Sequence, residues 1–281
     1  MKSIKGFELE AKSKRELPVL RRYLDRLLGL LTDALSSDLS HHTSPHFPFL
    51  VFNLACKQLT HVKSLIVLAD AGQDRDTVLI ARAMSECLVL ELWASKQPEE
   101  RAWLWRAYAL VHDYRLLQKK KSAGIPVSAE DSERITRRAL AEAGALLRKN
   151  ARAALANGKP MPDNPFQFKW HVDATGRPLQ VRELFEDAGL GDAYQLYSGF
   201  SDWVHSNAVA FGTAVQWEGR THTYQHSWPP DVAASFAVAA TALAHSIELL
   251  VDTFKLPPTL RPRELWQNLE AELSALSGGS A

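Results

Sequence analysis

The 281-residue sequence has only two cysteines, Cys56 and Cys87, each inside an apolar helical pattern with no second thiol or imidazole at ligand spacing. That argues against a disulfide framework and a structural zinc site, and it suits a reducing compartment. An apolar leader is also missing. Met1-Lys2-Ser3 runs into a mixed, charged segment through Arg22, so no export signal is read and a cytoplasmic setting is expected. The most apolar run, Ser235 to Val251, carries His245 and Glu248 and falls short of the ~20 apolar residues of a membrane span. A buried helix and no membrane are expected. An excess of one charge is absent, since 33 Lys+Arg oppose 32 Asp+Glu, which removes the simplest argument for a polyanionic partner unless charge is segregated locally. Gly189-Leu190-Gly191 and Gly278-Gly279 lack the further glycine, lysine and strand of a phosphate loop. No His-Glu-x-x-His helix occurs, and His41, His42, His46, His222 and His226 read as solvent-exposed loop residues, so neither metal nor cofactor is expected. No repeat of twenty to fifty residues is present.

Glycine and proline are sparse inside long segments and concentrated between them, which predicts an all-α, irregular multi-helix bundle in a single domain over 1–281. Leu17, Leu20, Leu24, Leu27, Leu28 and Leu31 recur every three or four residues and predict an amphipathic helix over about 14–36. A nearly all-apolar helix is expected from Phe49 to Ala71. Asp74 is a plausible N-cap for a third helix running to Ser95. Pro98-Glu99-Glu100 opens a fourth, which ends in Lys119-Lys120-Lys121, and Ser128 to Asp131 caps a fifth expected to run to Leu155. From 157 to 178 the prolines and glycines predict a long loop, with room for one short hairpin near Phe168 to Val172. Further helices are expected over Gln180–Ala188, Asp192–Val215, Asp231–Thr253 and Pro262–Leu276. A loop is expected between Val215 and Pro229.

Two polar stripes interrupt the apolar helices. On the third helix Arg82 and Glu86 stand four residues apart, hence on one face. On the long helix after Gly191, Tyr194, Tyr197, Ser198, Ser201 and His205 follow three- and four-residue steps. A stripe of phenols, hydroxyls and an imidazole cannot face a core without partners, because each unpaired buried group costs ~1–3 kcal/mol. It therefore meets other polar groups or faces a cleft, and the Arg82/Glu86 face is its natural partner.

The Arg82-x-x-x-Glu86 helix and the later Tyr197-Ser198-x-x-Ser201-x-x-Val204-His205 run resemble an uncharacterised bacterial family of helical proteins, the domain-of-unknown-function family numbered 5677, over about 55–212. Its architecture is in turn similar to the HEPN ribonucleases of bacterial toxin and phage-defence systems, which cleave RNA without a metal using an Arg and a His. Those enzymes carry the Arg a few residues before the His on one helix, whereas here no arginine lies between Arg182 and His205. The resemblance implies catalytic roles for Arg82, Glu86 and His205. His205 would serve as general acid or base on a ribose hydroxyl, Arg82 would stabilise phosphate charge, and Glu86 would orient one of them. Tyr197, Ser198 and Ser201 would bind substrate. The same cluster could instead hold a small anionic ligand, or be a buried structural network of a non-enzymatic scaffold.

RNA is one expected partner, and a homodimer through the amphipathic end helices is another. The fifth helix carries a modest basic surplus, Arg134, Arg137, Arg138, Arg148, Lys149 and Arg152 against Asp131, Glu133 and Glu142, and it follows Lys119 to Lys121. The eight tryptophans read mainly as packing anchors rather than base-stacking platforms.

Overall fold

The computed structural model describes residues 4–40, 46–204, 215–218, 221–224 and 228–278. Its helices are α1 (Ile4–Ser36), α2 (Phe47–Asp70), α3 (Thr77–Ser95), α4 (Pro98–Ser122) and α5 (Ala129–Glu142). They continue as α6 (Lys149–Ala156), α7 (Val181–Asp187), α8 (Tyr194–Val204), α9 (Pro229–Phe254) and α10 (Arg263–Gly278). The all-α bundle expected from the sequence is the observed fold class.

The centre is α9, packed along α1 and against α2 and α3. By length and composition it could cross a membrane, yet its large apolar side chains, among them Phe236, Leu243, Ile247 and Leu250, are buried within the chain. Each such burial contributes about 1.5–3 kcal/mol relative to exposure. The leucine stripe of α1 meets α9, with Leu20, Leu24, Leu27 and Leu31 buried. Helix α10 packs on α1, where Tyr23 Oη donates to Glu272 Oε1 at 2.8 Å. The apolar stripe of α1 is thus taken up inside the chain.

Four local expectations are revised. Helix α1 begins ten residues before Lys14 and carries Pro18 within it. Asp74 does not cap α3: it starts a short 3-10 turn, Asp74–Asp76, and its Oδ2 accepts from the Trp228 amide at 2.7 Å. The fifth helix stops at Glu142. There a 3-10 turn buries Leu146, and Leu147 bridges to Phe166 of the proline-rich loop before α6 begins. The regular hairpin is not near Phe168, where only an isolated Val172–Pro178 bridge closes a turn organised by Asp173. It lies further on, as β1 (Val215–Glu218) paired antiparallel with β2 (Thr221–Tyr224), in the segment expected to be loop.

Of the long helix expected over Asp192–Val215, α8 accounts for Tyr194–Val204, and residues 205–214 lie outside the described residues. Gly191–Ala193 forms a 3-10 turn that leads into it. Helix α7 opens with a capping box between Gln180 and Glu183, and it packs with α8 against α3. Two short helices are thereby laid across the one helix that carries Arg82 and Glu86.

Candidate functional site

Helix α3 presents most of its surface to the core, with Met84, Cys87, Leu88 and Trp93 buried. The Arg82/Glu86 edge escapes this because it looks toward α8. Tyr197 comes down from α8 onto that edge, 6% exposed, and its ring packs against Phe185 of α7 at 5.3 Å between centroids. Tyr194 stacks on it at 5.8 Å.

The three polar groups form one hydrogen-bonded cluster. Arg82 Nη2 donates to Tyr197 Oη at 3.1 Å, and Tyr197 Oη donates to Glu86 Oε1 at 2.8 Å. Arg82 Nε stands 3.5 Å from the same carboxylate oxygen, and the guanidinium carbon lies 5.1 Å from the Tyr197 ring centre. Burial first, then the bond to Glu86, raises the Tyr197 phenol above its ordinary value, so it stays protonated and donates. The cluster is not sealed: the Glu86 side chain is 44% exposed. Arg82 Nη1 and Glu86 Oε2 make no hydrogen bond with any described residue, and Arg82 Nε is buried without one. A guanidinium bonded to Tyr197 through Nη2, with its Nε at ion-pair distance from Glu86, thus keeps one unused donor edge beside an unused carboxylate oxygen.

The remaining site residues are placed less centrally. Ser201 is half-buried on the Tyr197 side of α8, but its hydroxyl donates to the Tyr197 carbonyl at 2.9 Å. Ser198, one residue beyond Tyr197 and therefore turned roughly 100° around the helix, is exposed. His205 lies outside the described residues, as do His41, His42 and His226. His46 is described, with its ring against Trp103 and its Nδ1 3.2 Å from Arg106 Nη1.

A model of a family of unknown function, DUF5677, matches residues 49–219. The chain belongs to this family. No curated protein and no solved structure gives a significant match. The DUF5677 segment runs from α2 through β1 and contains both helices of the Arg82/Glu86/Tyr197 cluster, while α1, α9 and α10 lie outside it and supply much of the core beneath. The matched span encloses the 55–212 region expected from the sequence.

Two buried polar sites in this DUF5677 chain were not singled out from the sequence. Glu91, on α3, is fully buried; Ser246 of α9 donates to its Oε2 at 2.7 Å, and its Oε1 has no partner. Burial pushes its carboxyl up to about 8. The signal was a lone acid in the run Cys87-Leu88-Val89-Leu90-Glu91-Leu92-Trp93. At the start of α9, Arg75 approaches Asp231 to 3.7 Å, and burial raises the Asp231 carboxyl to about 6 despite that cation. These residues meet across more than 150 positions of chain, a pairing that no local pattern announces. Among the described residues no group of three or more His, Cys, Asp or Glu is placed to hold a metal ion.

Proposed function

We propose that the protein is a metal-independent, HEPN-like ribonuclease, a component of a toxin or phage-defence system, whose site is built on the α3–α8 contact. The observation that carries this is the anchored Arg82 guanidinium with a free Nη1 edge beside the free Oε2 of Glu86. Such an edge suits a phosphate, because a fixed guanidinium offers charge-assisted donors without first being ordered. His205, eight residues beyond Tyr197 in sequence, supplies the base. It takes the proton of a ribose 2′-hydroxyl, the 2′-oxygen attacks phosphorus, and the P–O5′ bond breaks. The departing oxygen takes up a proton, leaving a 2′,3′-cyclic phosphate and a 5′-hydroxyl. Arg82 neutralises charge building on the phosphoryl oxygens. Glu86 and Tyr197 act as positioning residues for Arg82; Tyr197, held between the two, is better suited to this than to binding substrate.

The test is cleavage of single-stranded RNA in the presence of a chelator. Wild type is expected to give cyclic-phosphate ends, with His205→Ala and Arg82→Ala losing at least about a hundredfold in rate and His205→Ala keeping its melting temperature. RNA left intact by the wild type sinks the proposal.

One observation favours a second role. Every hydrogen bond that the Arg82 and Glu86 side chains make with the described residues goes to Tyr197, which suits a structural lock between α3 and α8 in a non-enzymatic scaffold or anion-binding protein. That role predicts no cleavage and a large loss of stability in Arg82→Ala.

A further inference from the structure

Many arginines of this chain have a carboxylate within ion-pair reach, Arg21, Arg101, Arg138, Arg177 and Arg261 among them. Arg115, Arg148 and Arg152 do not, and they are gathered in one place. Among the described residues all three are bound to neutral oxygens where the proline-rich loop docks on α4 and α6. Arg115 donates to the carbonyls of Gln167 at 2.6 Å and Phe166 at 3.4 Å, and to Tyr108 Oη at 2.8 Å. Arg148 Nε donates to the Phe166 carbonyl at 3.1 Å, and Arg152 Nε to the Leu147 carbonyl at 3.0 Å. Tyr108 in turn donates to the Phe168 carbonyl. These bonds fix the guanidiniums in position without neutralising them.

The ring of Phe168, 60% exposed, has the guanidinium carbons of Arg115 and Arg148 4.9 Å and 4.5 Å from its centre. An exposed phenyl ring contacted by two cations that lack counter-charges is an unusual surface feature. The ring lines a cavity of about 850 Å³ that also takes in Arg115 and Lys119. Asp163 lines it too, and among the described residues it makes no ion pair with the three arginines. A second cavity of about 760 Å³, walled by Trp103, Trp105, Tyr108 and Trp170, continues along α4, and His112 belongs to both. From Trp105 to Lys119 the helix spans roughly 20 Å at 1.5 Å per residue. The tryptophan end also carries Asp113 and the Arg138–Glu142 pair, so the unmatched positive charge is confined to the Phe168 end, and the length exceeds what a single small anion needs.

We propose that this cleft along α4, with Phe168, Arg115 and Arg148 at one end and the tryptophans at the other, binds single-stranded RNA. Phosphates meet the guanidiniums and Lys119, and bases stack on the exposed Phe168 and on the open edges of the half-buried tryptophans, the combination by which proteins hold a single strand without reading its sequence. The proposal rests on the ribonuclease assignment for the choice of polymer, but it shares no residue with the Arg82/Glu86/Tyr197 cluster. The local charge is also hidden in the totals: a net charge of +1 over the chain coexists with three arginines left unmatched at one loop.

The experiment is fluorescence anisotropy of the full chain with a labelled 2′-O-methyl oligouridylate, which has no free 2′-hydroxyl and so reports binding separately from cleavage. Wild type is expected to bind with strong salt dependence. Phe168→Ala should raise Kd at least about fivefold, the low end of one lost stacking contact. Arg148→Gln should weaken binding and flatten the slope of log K against log salt by about 0.7, the value for one phosphate contact on a single strand. Should Arg148→Gln loosen the loop, Lys119→Gln carries the same charge test from a side chain that makes no bond to the loop. No binding by the wild type overturns the proposal. So does binding that all three variants leave unchanged, or polyglutamate displacing the RNA with Phe168→Ala without effect, which marks a charge-only polyanion surface. Binding without cleavage of ordinary RNA defeats the ribonuclease assignment and leaves the cleft standing. Cleavage with KM unchanged in the cleft variants does the reverse.

Discussion

Replacing Glu91 by glutamine should abolish the loss of stability that this carboxyl causes as pH rises from about 4.5 to 8. In the unfolded chain the carboxyl titrates near 4.5; in the fold, burial raises it to about 8, because desolvation opposes the charged form and, among the described residues, a single hydroxyl, Ser246 Oγ, bonds to it. A carboxyl whose folded value lies above its unfolded one binds its proton more tightly in the native state. Stability is therefore greatest below about pH 4.5 as far as this group is concerned, falls through the window from 4.5 to 8, and is level above it. At about 1.4 kcal/mol per pH unit the full shift amounts to about 5 kcal/mol, of which about 3 kcal/mol is already lost at pH 7. Glu91→Gln keeps the shape and the bond to Ser246 but cannot ionise, so its curve lacks this descent. The measurement is urea unfolding of wild type and variant at pH 5, 6, 7, 8 and 9, taking the difference at each pH so that other titrating groups cancel. A difference that grows by about 4 kcal/mol in favour of the variant between pH 5 and pH 9 is expected. Parallel curves would mean that Glu91 is ionised at neutral pH or reaches water, and would refute the account of a neutral acid joining α3 to α9.

Two further outcomes follow from the other polar contacts. Asp231→Asn should flatten a separate limb at lower pH: the carboxyl moves from 3.8 unfolded to about 6 folded, so wild-type stability declines as pH rises through that window and the variant's does not, with a common slope in denaturation at pH 4 and 6 counting against it. Tyr197→Phe removes the oxygen that accepts from Arg82 and donates to Glu86, and should cost about 1–2 kcal/mol in urea unfolding at pH 7, with an unchanged midpoint showing that α8 is not held by this bond.

The elements most legible in the sequence were those with chemical punctuation at both ends. Helix α4 starts at Pro98 with Glu99 and Glu100 in its first turn and finishes on three lysines, and its predicted and observed bounds agree to within a residue or two. The break between α5 and α6 was not legible. Nothing local stops the helix at Glu142 except Gly144; what stops it is the bridge from Leu147 to Phe166, nineteen residues away, which buries Leu146 and Leu147 against the loop. The β1–β2 hairpin did leave a trace, since Val-Gln-Trp-Glu and Thr-His-Thr-Tyr are strand formers around Gly219-Arg220, but two runs of four residues are too short to set up a clear period-two pattern. In the candidate site, Arg82, Glu86 and Tyr197 were legible as a set because polar stripes on two apolar helices have to meet. The unmatched arginines were not. Arg115 sits among the apolar residues of α4, and only the docked loop shows that its partners are carbonyls rather than acids.

Helix α3 also decides whether function and stability can be separated by mutation. Glu91 follows Arg82 by nine residues, and at roughly 100° per residue that places it half a turn round, on the side away from α8. One edge of α3 thus carries the half-exposed Arg82/Glu86 pair to Tyr197, and the opposite edge carries a sealed acid to Ser246 of α9. The two edges differ in what water can do. At the α8 edge solvent reaches Glu86 and screens its pair with Arg82, so substitutions there should shift stability modestly while altering whatever binds the free donor edge. At the α9 edge no solvent reaches the carboxyl, so its protonation is coupled to the packing of α3 on the central helix. A DUF5677 chain carrying Glu91→Gln should therefore hold its melting temperature better at pH 8 to 9 and keep any activity of the Arg82 edge, whereas one carrying Glu86→Gln should keep the alkaline stability profile of the wild type and change only the activity. Loss of both properties together in either variant would show that α3 moves as a unit, and that the two edges are not independent.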